Sequence, residues 1–155
     1  MARPRVTPSV DCRDSYMLAG AFCLIAAATA SLSMLGFWRT YKAFTSTARR
    51  LVRRQEGDRE AFLRVAIALK RATRCAAFRP TCLRVALASH VLLASVGVDN
   101  VVKIGVRRAE GGLVAHAWVV CEYGSIDLSS GWSDEFAIML DSRDQPQWER
   151  EASGP

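Results

Sequence analysis

From Met17 to Trp38 the chain carries no charged residue. A run of that length is long enough to cross a bilayer, and it reads equally as a buried helix or a pair of helices. It is rich in Ala, Ser and Thr, which weakens it as a spanning segment. The pattern predicts an apolar helical region from about Ser15 to Phe44, with Gly20 and Gly36 as points where it breaks or bends. The stretch TSTARRLVRRQEGD then reads as a basic, exposed helix end that closes at Gly57. Asp58 is a good N-cap for the next helix. There Phe62, Val65, Ala66, Leu69 and Thr73 recur at helical spacing, which carries the helix to near Phe78. Pro80 blocks continuation. Thr81 reads as the N-cap of CLRVALASHVLLASVG, which closes at Gly97. That segment is apolar on almost every side, so it should lie buried at the centre.

Beyond Gly97 the period changes to two. Val102, Ile104 and Val106 share one face of a strand predicted over Val101–Arg107. Glu110–Gly112 is a turn, and Leu113–Glu122 is a second strand, apolar on both faces. Gly124 turns the chain into a third strand carrying Ile126, Asp127 and Leu128, and Phe136–Leu140 is a short last one. Helices followed by an antiparallel meander make an α+β chain, with a central helix packed on a small sheet. The expected division is a disordered N-terminus over 1–14, an apolar then basic helical region over 15–57, the core over 58–140 and a flexible tail over 141–155.

Composition narrows the reading. The chain has 155 residues, half of them hydrophobic, which suits one domain with a sizeable core. The net charge of +6 lies largely between Arg39 and Arg54. No known reader motif accompanies those cations, so nucleic acid is not the expected partner. An acidic peptide, an acidic protein or an anionic membrane would suit them. If the apolar run spans a bilayer, this basic flank stays on the cytoplasmic side. The five cysteines, Cys12, Cys23, Cys75, Cys82 and Cys121, are odd in number and form no CxxC pair. That pattern points to a reducing, cytoplasmic setting, with residues 17–38 as the place for any membrane contact.

Two histidines and one cysteine carry the candidate chemistry. Cys82 opens the apolar helix, where partial positive charge and unpaired N–H groups favour a thiolate nucleophile; ordinary buried packing is the alternative. His90 lies eight residues further on, about 12 Å along the axis, too far to serve as its base. His116 sits in the second strand, where it can cross the start of the helix, with Val114 and Trp118 beside it on the same face. Trp118 is therefore a candidate substrate-binding residue. Asp127, on the neighbouring strand between Ile126 and Leu128, is placed to orient the imidazole, since a carboxylate there is costly unless paired. Asp134 is the fallback, and Glu122 reads as exposed. The same trio would serve hydrolysis or acyl transfer, and a membrane-associated adaptor without catalysis is a third reading. A zinc site from Cys82, His116 and Cys121 finds no support in the spacing, so neither metal nor cofactor is expected.

The runs RPTCLRVALASHVLLASVGV, VKIGVRR and LVAHAWVV, in that order, resemble the lasso peptide leader peptidases, the small transglutaminase-like B proteins of lasso peptide biosynthesis. The likeness covers about Ala72 to Leu128. It implies a papain/transglutaminase-like fold and a cysteine protease that removes the leader from a ribosomally made precursor peptide. Cys82 would be the nucleophile, His116 the base and Asp127 the orienting acid. A separate ATP-using, asparagine-synthetase-like lasso cyclase would then join the freed amine to an acidic side chain. Many such proteases act with a small leader-recognition protein. The segment ahead of Ser15 has no room for that domain, so the resemblance implies a partner in trans.

Overall fold

In the computed structural model, residues 12–52, 57–76, 80–127 and 136–143 are described. Helix α1 is Cys12–Val52, α2 is Arg59–Cys75 and α3 is Cys82–Ser95. The strands are β1 Asn100–Ala109, β2 Gly112–Cys121, β3 Gly124–Ile126 and β4 Ala137–Asp141. Asp58 caps α2 as its position predicts: its carboxylate accepts the Ala61 N–H at 2.8 Å. The α2 pattern buries Phe62, Val65 and Leu69 as expected, and Ala68 and Ala72 complete the face. This helix stops at Cys75, short of Phe78, because Ala76 is already extended. Residues 77–79 lie outside the described residues.

α3 is the hub. Every residue from Val85 to Ala94 is buried, and Leu87 and Leu93 are fully so. Each such leucine contributes about 1.5–3 kcal/mol through burial. The helix has no polar side to show water, which is why it lies between α1, α2 and the sheet. The chain leaves it through Gly97, at φ 80°.

α1 holds the largest departure from a simple reading of the apolar run. Gly36 sits at φ 74°, ψ 179°, a conformation open almost only to glycine, and it splits the helix into two arms. The arms fold back on each other. Leu24 from the first and Phe44 and Leu51 from the second pack against one small cluster, Ala48, Val91 and Ala94. A straight helix would hold Leu24 and Ala48 about 36 Å apart. Gly20, the other expected break, stays helical and approaches Leu92. By length and composition the helix over Asp14–Leu51 is apolar enough to cross a membrane. One side of it is nonetheless built into the protein: Ala21, Ile25, Ala28 and Tyr41 belong to the main core. The bend itself leaves Met34, Leu35 and Trp38 exposed.

The four strands among the described residues are antiparallel in the order β3-β2-β1-β4. β1 through β3 meander as predicted. β4 does not continue beside β3; it pairs with the far edge of β1. Gly105 makes this closure possible, since a Cβ there would lie 2.9 Å from the Phe136 Cβ and 3.0 Å from Trp118 Cη2. One sheet face, carrying Val102, Ile104, Ala117 and Val119, packs on the helices. The basic end of α1 is tied to the sheet as well, because Arg49 donates to the Ser142 carbonyl at 2.7 Å.

Candidate active site

α3 brings its first residue, Cys82, half-buried to the edge of the core. Thr81 occupies the N-cap position, but its hydroxyl makes no capping hydrogen bond. The first-turn N–H groups are therefore not taken by that side chain.

β2 supplies His116, and its pleat decides where the ring goes. Ala117 and Val119 point into the helix-facing core, so His116 and Trp118 alternate to the other face. There the imidazole is clamped. Trp118 stacks on it at 5.7 Å between ring centroids with planes 13° apart, and Phe136 lies at 5.3 Å on a tilt. The Arg107 guanidinium lies over the Phe136 ring at 5.4 Å. Trp118 is only 4% exposed, so it chiefly holds the histidine; its edge also lines a cavity of about 590 Å³ with Lys103, Val120 and Ile138. Phe136 was legible in the sequence only as a strand start. The one local hint of its role was Gly105, a glycine inside a strand pattern where a bulky group approaches.

Asp127 lies one residue past the end of β3. Its Oδ1 is 2.6 Å from His116 Nε2, and both side chains are 8% exposed. A carboxylate at that distance accepts the Nε2 proton, so the neutral ring carries its lone pair on Nδ1. The structure thus brings together His116 and Asp127, two of the three residues that the sequence suggested for one site. Cys82 stands at the start of α3. Among the described residues no hydrogen bond joins its thiol to the ring. Among the described residues β3 pairs with Val119–Cys121 and stops short of His116 along the β2 edge. Around that edge a cavity of about 450 Å³ connects Val85, one turn along α3 from Cys82, with Asp127.

The profile of the transglutaminase-like superfamily matches residues 23–140. This chain belongs to that superfamily. The match takes in most of α1, in keeping with the arms of α1 being part of one core with α2, α3 and the sheet. Neither a curated protein nor a solved structure matches the chain. A transglutaminase-like, papain-like fold is an α+β scaffold for cysteine peptidases and acyl transferases, and the observed layout has that form.

The remaining candidates separate cleanly in this transglutaminase-like domain. His90 is buried in α3; its Nδ1 lies 2.6 Å from Asn100 Oδ1, while Asn100 Nδ2 donates to the carbonyls of Val98 and His90. The ring must therefore be the donor, which makes His90 a structural residue. Burial, only partly offset by that hydrogen bond, pushes its pKa below 6.5. Cys121 donates its thiol to the Gly124 carbonyl at 3.4 Å, and burial raises its pKa. Glu122 is exposed. Asp134, the fallback acid, lies outside the described residues, as does Leu128. Among the described residues no group of three or more His, Cys, Asp or Glu side chains is arranged to hold a metal.

Proposed function

We propose that this transglutaminase-like domain is a cysteine peptidase that removes the leader from a lasso peptide precursor. The observation that carries it is the buried His116–Asp127 bond, in a domain whose buried helix α3 begins at Cys82. The three runs quoted above supply the lasso-specific part. In this reading Nδ1 takes the Cys82 proton and the sulfur attacks the scissile carbonyl. The Cys82 backbone N–H faces the developing oxyanion. The leaving amine departs with the proton from the imidazolium, which yields a thioester. Water, deprotonated by His116, then releases the leader carboxylate and restores the thiol. The reading requires sulfur and ring to come into contact around the β2 edge when the peptide fills the site.

A leader-recognition protein acts in trans in this scheme, and the lasso cyclase consumes the freed amine. The test is to mix the protein, a precursor and the recognition partner and to follow leader mass. Cys82→Ala should abolish cleavage; a variant that cuts as fast as wild type overturns the assignment. The superfamily match also favours a second reading, acyl transfer from the same thioester to an amine. Product mass separates the two, since one adds water and the other joins an amine.

A further inference from the structure

The cavity that connects Val85 with Asp127 has two chemical halves. Its inner wall is aliphatic, from Leu69 of α2, Val85 of α3 and Ile126 of β3. Its mouth is cationic: Lys70 and Arg74, both exposed, stand one turn apart on α2 with Thr73 between them. Among the described residues no carboxylate pairs with either cation. Asp127, the one acid among the described residues that line the cavity, accepts from His116 Nε2 through Oδ1. Two like charges at i,i+4 repel, and a bound anion relieves that repulsion. The volume, about 450 Å³, accommodates side chains of a peptide rather than a whole folded partner.

We infer that this cavity is a substrate subsite, taking an aliphatic side chain between Leu69, Val85 and Ile126 and a neighbouring acidic side chain at Lys70 and Arg74. The assignment of the ligand as substrate rests on the peptidase reading. The subsite lies beside the orienting acid and one turn from the nucleophile, so it sets which peptide segment is presented to the sulfur. It also gives the basic face of α2 a task that Arg64, already paired with Glu60 at 2.6 Å, does not share.

The test measures binding without turnover. Cys82→Ala protein is titrated, at low ionic strength, into three dansyl-labelled peptide amides: Gly-Leu-Glu-Gly, Gly-Leu-Lys-Gly and Gly-Gly-Glu-Gly. The first should bind about tenfold more tightly than the second, as two partly exposed charge pairs allow. The third should be weaker than the first through loss of the aliphatic contact. Lys70→Glu combined with Arg74→Glu should reverse the charge preference, with an unchanged melting temperature as the control for folding. Equal binding of the acidic and basic peptides, a preference that survives the double reversal, or binding of none of the three overturns the subsite. Its failure is distinct from failure of the peptidase reading. A surviving charge preference in a wild-type chain that does not cut precursor sinks the peptidase alone, and cleavage without any preference sinks the subsite alone.

Discussion

Burial lowers the His90 pKa, and that shift has a measurable consequence. The folded state holds its pKa below 6.5, while the unfolded chain titrates it near 6.5. Below that pH the unfolded state binds more protons, so stability falls as the pH drops toward the lowered folded value. The loss approaches about 1.4 kcal/mol per pH unit for one proton. Urea midpoints at pH 7.5 and 5.5 should therefore differ in wild type, and the difference should shrink in His90→Gln. His116 is placed in a different setting, with a carboxylate on Nε2. Replacing Asp127 by Asn removes the group that fixes the tautomer. Cleavage of precursor should slow by about 10²- to 10⁴-fold with KM little changed. An equal fall in rate with a raised KM would instead mark Asp127 as a binding residue. Both histidines stand in apolar segments of the sequence, so the segments alone did not separate them. Spacing did part of that work: eight residues along one helix removed His90 as a base, whereas a strand left His116 free to cross.

At the scale of elements, α3 was legible because nothing but an interior position suits a helix apolar on all sides. α2 was legible through its cap and its period. α1 was legible as apolar and helical, and Gly36 was visible as a break, but a glycine in a sequence does not state its dihedral angles. At φ 74°, ψ 179° any side chain is strained. Gly36→Ala should cost about 1–3 kcal/mol, read as a lower urea midpoint at pH 7.5. Open space around the position excludes a steric clash as the cause. The exchange of β4 from the expected meander to the β1 edge has the same origin. Alternation marks which residues face inward, but both outer edges of a β1–β2–β3 meander accept another antiparallel strand.

The whole molecule decides whether the three candidate residues form one site. α3 packs on one face of the sheet and the imidazole projects from the other, so the proposed site needs sulfur and ring to meet around the β2 edge, where among the described residues β3 pairs with Val119–Cys121 alone. 1,3-Dibromoacetone joins a thiol to an imidazole across a three-carbon bridge. It should yield a cross-link between Cys82 and His116, found by peptide mass mapping after digestion, and precursor bound beforehand should block it. Alkylation of Cys82 without the bridge would show that the two groups do not come within reach. The two arms of α1 belong to this scale as well. Hydropathy alone presents residues 17–38 as a single apolar run, while the fold returns the second arm across the first and seats both on α3.

Local physics was enough to settle which segments become helix or strand, which helix is central, and which cysteine, histidine and aspartate stand at element ends or in buried strands. Those properties follow from period, caps and glycine, all of which act over a few residues. The reversal at Gly36, the strand order, the Phe136 and Trp118 clamp and the cavity shared by α2, α3 and β3 arise from contacts between residues far apart in the chain. Several arrangements of the same elements satisfy the local pattern equally, and only close packing of their side chains selects one.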